Sequence, residues 1–162
     1  LAAEAAPWKA RAERLRISRA PLVVTLGDWL RTNEPPDARF ALLHGDPNPG
    51  NYLFVGDTVV TVLDWELAAI GDPRSDLGFY AALHTVFGGM SGSAGRTLLA
   101  EAYAAVTGAP VHNMEYYEAF GLYRMAIVIA GWAGRFGGFS TGYSMDAIAR
   151  RLAVLLGPRW EA

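Results

Sequence analysis

Apolar positions along this chain recur first at helical spacing, then at strand spacing, then at helical spacing again. In residues 8–19, Trp8, Leu15 and Ile17 stand among arginines and Lys9, which predicts a short helix. Pro21 opens a second helix over residues 22–30. Pro35 and Pro36 close it, because proline has no N–H to give to a helix interior. A brief apolar run, Phe40, Ala41, Leu42 and Leu43, ends in His44, Gly45 and Asp46, and Pro47, Asn48, Pro49 and Gly50 make an irregular loop. Two β-rich runs, residues 52–55 and 58–63, flank Gly56 and Asp57 and predict a hairpin.

Helical spacing then holds to the end. Asp76 can cap a helix through Phe87, Ser93 one through Val106, and Asn113 a long one to about Arg135. Ser144 can cap a last helix ending near Leu156, with Gly157 and Pro158 as its stop. Glycine-rich linkers, Gly88 to Gly95 and Gly134 to Gly142, separate these helices, and no internal repeat occurs. The expected fold is one mainly α domain over residues 1–162 with a small β-hairpin before its middle.

Composition narrows what such a domain can do. With 162 residues and 52% hydrophobic positions, the chain can build a core, which excludes disorder. A formal charge of -2 gives no basic field for nucleic acid. The absence of cysteine excludes disulfides, thiolate zinc sites and thiol catalysis, and fits a cytoplasmic setting. The opening at Leu1 lacks the pattern of a signal peptide. The apolar stretch over residues 125–133, between Arg124 and Arg135, is far shorter than the roughly 20 residues of a membrane span. A buried helix is expected there, and no membrane partner.

The chemistry concentrates in residues 44–51, HGDPNPGN, and in VLDWE over residues 62–66. Asp46 and Asn51 are five positions apart, and Asp64 follows Asp46 by 18. A hairpin of that length returns beside the loop that began it, so the three side chains converge. Two carboxylates and an amide oxygen are hard ligands suited to magnesium. The spacing is that of the catalytic loop and metal-binding Asp of kinase-type phosphotransferases.

With GDPRSDLGFY over residues 71–80, these runs resemble the aminoglycoside phosphotransferase and choline kinase-like family. The nearest flavour is the kinase-like branch associated with acyl-CoA dehydrogenases. The match covers roughly residues 8–135 and keeps the motifs in order. It implies the helical, C-terminal lobe of a protein-kinase-like fold. It further implies ATP or GTP with Mg2+ as cofactors, and transfer of the γ-phosphate to a hydroxyl of a small-molecule acceptor. Asp46 then resembles the Asp that orients the acceptor hydroxyl, and Asn51 and Asp64 the side chains that hold magnesium on the nucleotide. His44 resembles a residue packed behind the metal-binding segment. Asp76 resembles one that bonds backbone amides of the catalytic loop. A nucleotide-binding lobe is also implied, with a glycine-rich loop and a strand lysine. Only 43 residues precede His44, they read as helices, and the sole lysine among them is Lys9. The expectation is therefore a lobe without its N-terminal partner, inactive alone. It should expose an apolar face that either the missing lobe or self-association covers. The rival reading is a catalytically silent module that keeps the motif for folding or partner binding.

Other patterns carry less. Gly138, Phe139, Ser140, Thr141 and Gly142 match a hydrolase nucleophile elbow, yet no histidine follows Ser140 to complete a triad. Residues 89–97 have one residue too many, and Arg96 in place of lysine, for a phosphate-binding loop. Asp72 with Pro73 reads as a turn, Glu66 as an exposed turn carboxylate, and His84 and His112 as a helix-face and a loop histidine. Tyr116, Tyr117, Phe120 and Tyr123 follow helical spacing, as core residues or as the lining of an acceptor pocket.

Overall fold

The computed structural model describes residues 2–17, 20–87, 93–135, 145–157 and 160. Two helices come first, α1 (Ala2–Arg14) and α2 (Pro21–Thr32). A β region follows, with β1 (Ala41–Leu43), β2 (Tyr52–Val55), β3 (Thr58–Val62) and β4 (Ala69–Gly71). The remaining helices are α3 (Arg74–Phe87), α4 (Ser93–Thr107), α5 (Met114–Arg135) and α6 (Met145–Leu156).

β2 and β3 form the expected hairpin, with Gly56 at φ +58° in its turn and Tyr52 opposite Val62. The expectation of a single small hairpin is incomplete. β1 pairs with β4 in a second antiparallel sheet, Leu42 opposite Ile70 and Leu43 opposite Ala69. A strand of three residues has no readable period, which is why the run from Phe40 gave no sign of its partner. This pairing fixes the site: it sets His44 beside Ala68, so the loop after β1 and the segment before β4 leave one end of the sheet together.

Helix α5 organises the core. Tyr117, Leu122 and Ile127 on it are fully buried, with Leu26 of α2, Ala82 of α3 and Ile148, Leu152 and Leu156 of α6 around them. The apolar stretch from Met125 is thus interior to this helix, and no described helix is long and apolar enough to cross a membrane. α3 crosses α5 at close range. A Cβ on Gly78 would overlap the Tyr117 backbone, and one on Gly121 would stand 2.8 Å from the Gly78 carbonyl oxygen.

The element ends depart from expectation in three places. α1 starts at Ala2 and runs through Pro7, carried by alanines of high helix propensity. It ends early, with Arg16 at φ +58°, the Ile17 N–H on the Ala12 carbonyl and the Arg16 N–H on that of Glu13. This is the glycine-type helix stop made by an arginine. α3 begins before Asp76, and its start is capped by Asp72, whose Oδ1 accepts the Arg74 N–H at 3.0 Å. Ser144, the elbow-like residues 138–142 and most of the linker at 88–95 lie outside the described residues.

Candidate active site

The loop after β1 is held by three buried or half-buried side chains. The Asp76 carboxylate accepts the His44 N–H at 2.7 Å and the Gly45 N–H at 3.0 Å. Asp76 thus sits in the first turn of α3 and faces the loop rather than capping its own helix. His44 is buried with its ring between Trp65 (4.7 Å) and Tyr52 (6.4 Å). Its Nδ1 accepts the Asp46 N–H at 3.2 Å and its Nε2 meets the Leu63 carbonyl oxygen at 2.6 Å. A backbone N–H only donates and a carbonyl only accepts, so these partners assign the ring proton to Nε2. From below, Arg124 of α5 donates through Nη2 to the Gly45 carbonyl.

Asp46 and Asn51 come together. The Asn51 amide nitrogen donates to the Asp46 carbonyl at 2.9 Å and to Asp46 Oδ2 at 3.3 Å. Both neighbours are acceptors, so the amide must present nitrogen to them and its oxygen remains for another partner. The hairpin then closes on the same loop, because the Leu63 N–H donates to the Asn51 carbonyl at 2.8 Å. Asp64, the next residue, is exposed and left-handed (φ +62°, ψ +57°), with no side-chain bond to the turn at Trp65–Leu67 that it precedes. Aspartate tolerates that conformation better than most residues, and such backbone collects at functional sites.

The Asn51 amide oxygen and the Asp64 carboxylate are hard oxygen donors, the type that magnesium takes. Among the described residues no three His, Cys, Asp or Glu side chains gather around one point. Magnesium is ordinarily held by one or two carboxylates, with phosphates and water completing an octahedron. These two side chains supply donors of that type. The nearby Tyr52 phenol is shifted up by burial and then by Asp76 and Asp46, which marks the negative field of the site.

Of the remaining candidates, Glu66 is exposed on the turn and Leu67 beside it borders a cleft of about 270 Å³ between Gly45 and the α1 residues Trp8 and Arg11. Tyr116, Phe120 and Tyr123 line a cavity of about 460 Å³ among α1, α2 and α5, whereas Tyr117 packs against Arg74 at 4.7 Å. His84 lies tilted against Tyr80, ring centres 4.2 Å apart, and His112 is exposed.

Sequence reasoning missed two supports. The first is Arg124, an arginine inside a row of otherwise buried positions, and that interruption was its signal. The second is Asp72. Its carboxylate takes two bonds from the Arg74 guanidinium, at 2.9 and 2.8 Å, and the Arg39 N–H at 2.8 Å. Burial alone would raise this carboxyl, and the Arg74 side chain with the Arg39 and Arg74 N–H groups overcomes it and holds the carboxyl below its ordinary value. Glu4 of α1 completes the joint, accepting the Asp72 N–H at 2.6 Å and the Ser75 hydroxyl at 2.7 Å.

Comparison with known proteins places this architecture. The chain is 27% identical to acyl-CoA dehydrogenase family member 10 of Mus musculus over 164 aligned residues, 91% of this chain and 15% of that protein. Its structure superposes with a TM-score of 0.68, at 25% identity, on a Ralstonia eutropha protein assigned to the aminoglycoside phosphotransferases, covering 94% of this chain and 51% of the other. The macrolide 2′-phosphotransferase of Brachybacterium faecium shares the fold with a TM-score of 0.54, at 21% identity, over 97% of this chain and 50% of that one. The chain thus spans about half of these solved structures and a small part of the curated relative. The mainly α fold with its small β elements is that of the helical part of the kinase-like phosphotransferases. The model of the phosphotransferase enzyme family matches residues 1–120, and the chain belongs to that family.

Proposed function

We propose that this chain is the acceptor- and metal-binding half of a small-molecule phosphotransferase that moves the γ-phosphate of ATP, or of GTP, to a hydroxyl. The observation that carries this is the closure of the hairpin on the loop: Asn51 reaches Asp46 with its side chain and Leu63 with its backbone, one residue before Asp64. Phosphoryl transfer asks a protein for positioning and charge neutralisation more than for covalent work. Asp46 is the group that orients the acceptor hydroxyl and takes its proton. Asn51 and Asp64 hold Mg2+, which would neutralise the charge on the transferred phosphoryl group.

The other half of the site lies outside this chain in this reading. The only lysine is Lys9, exposed on helix α1, so a strand lysine for the phosphates must come from another segment. Leu42 and Ile70 on the β1–β4 pair and Phe40 just before it support that division, being 65%, 66% and 74% exposed. Leu53, Phe54 and Val55 on the hairpin are also open to solvent. Apolar rows of this kind need a cover, and the nucleotide-binding lobe is the cover we assign. The chain alone should then turn over no ATP.

The test is Asp46→Asn in the protein that carries both lobes. Turnover should fall by about 10²- to 10⁴-fold while affinity for Mg2+ and nucleotide stays. Unchanged turnover removes Asp46 from the mechanism. No magnesium-dependent nucleotide affinity in the unsubstituted protein would favour a silent module instead.

A further inference from the structure

We propose that Arg124 is a positioning residue for Asp46, a role that rests on the phosphotransfer reading above. The peptide unit joining Gly45 to Asp46 is gripped at both ends by buried side chains. Its carbonyl accepts from Arg124 Nη2 and its N–H donates to His44 Nδ1. The two preceding N–H groups belong to Asp76. The N–H groups of residues 44–46 and the Gly45 carbonyl are therefore all taken, and Arg124 is the one of these holders that comes from α5.

Its surroundings fit a fixed post rather than a surface ion pair. Arg124 is 3% exposed, and its guanidinium lies 4.3 Å from the Phe79 ring centre and 4.8 Å from that of Trp8. Aromatic faces on α3 and α1 thus hold it where, among the described residues, it forms no ion pair. Its Nε has no hydrogen-bond partner among the described residues, so the group is not placed there to satisfy itself. Burial pushes its pKa down to about 10, opposed by the charges of Asp76, Glu4 and Asp46, and it stays a cation at neutral pH.

Gly45 makes the contact necessary. At φ +85° it is left-handed, and a Cβ there would run into the Leu67 carbonyl, so the chain has one narrow path into Asp46. The Arg124 bond keeps it on that path.

The experiment compares Arg124→Met and Arg124→Lys in the protein with both lobes, with Mg2+ and ATP. Arg124→Met keeps bulk and packing on Trp8 and Phe79 but loses the donor. Its kcat should fall about 100-fold, with KM for Mg2+–ATP within about twofold, as expected for a misplaced catalytic group. Amide hydrogen exchange at residues 44–46 should quicken, with the core of α5 unchanged. Arg124→Lys keeps the charge on a shorter reach and should lose about tenfold. An unchanged kcat in Arg124→Met overturns the proposal. So does a loss in which kcat, KM and core exchange move together, or a wild-type kcat in Arg124→Lys. If Arg124→Met does not fold, the same readouts in Arg124→Lys decide. If the unsubstituted protein shows no magnesium-dependent turnover, the phosphotransfer reading fails separately, and exchange at residues 44–46 alone settles the role of Arg124.

Discussion

At Gly45 the chain leaves no room for any other residue. An alanine there must hold a left-handed backbone and push its methyl against the Leu67 carbonyl. Strain of that kind costs about 1–3 kcal/mol. Gly45→Ala should therefore lower the free energy of unfolding by at least that amount, with a lower denaturation midpoint, and remove turnover with it, since Asp46 follows directly. A midpoint equal to that of the unsubstituted chain would show the loop to be looser than this. Asp46, Asn51 and Asp64 are candidates at this scale because side-chain chemistry and spacing are written in the sequence, and the fold joins the first two through their side chains. What stayed hidden is which group holds which backbone atom. Asp76 reads as a helix cap by its residue type and as a holder of loop amides only through the family resemblance, and it is the fold that assigns its carboxylate to the amides of His44 and Gly45.

Helix pairing is settled by a few buried points. Glu118 of α5 is fully buried and accepts from Arg96 of α4 at 2.9 Å and from Arg151 of α6 at 2.6 and 3.0 Å. One carboxylate thereby ties three helices. Removing it leaves two nearly buried guanidinium groups with only the exposed Glu115, 3.8 Å from Arg96, as a counter-charge among the described residues. Glu118→Ala should cost about 3–5 kcal/mol in chemical denaturation, and a loss under 1 kcal/mol would mean that water reaches the cluster. In the sequence Glu118 looks like one more acid on a helix, because its partners lie 22 and 33 positions away. The long helices were legible, since periodicity accumulates over many residues. The three-residue strands β1 and β4 were not, and neither was the stop of α1, where an arginine does what a glycine usually signals.

For the molecule as a whole, the buried phenols set the alkaline limit. Tyr116, Tyr117 and Tyr123 all have pKa values raised by burial, with Glu34, Asp72 and Glu13 respectively adding to it. A phenol whose folded pKa lies above its ordinary value of about 10 stabilises the fold fully below that pH. That contribution drains away as pH rises, because the unfolded chain gives up the proton first. Arg124 acts in the opposite sense between about pH 10 and its ordinary range, since the folded chain there binds fewer protons than the unfolded one. Three phenols against one guanidinium make the net slope negative. In a spectrophotometric titration, Tyr116, Tyr117 and Tyr123 should ionise only in one cooperative step with loss of helical signal. Smooth ionisation of all seven tyrosines without unfolding would contradict this burial.

Glu4 ties the first turn of α1 to residues 68 and 71 positions on, and its charge is also felt by Arg124. Helix α1 is therefore a handle on the loop that carries Asp46, although none of its described residues bonds that loop's amides. A partner pressed against it, or a protease that clips it, would disturb the Asp46 loop from a distance.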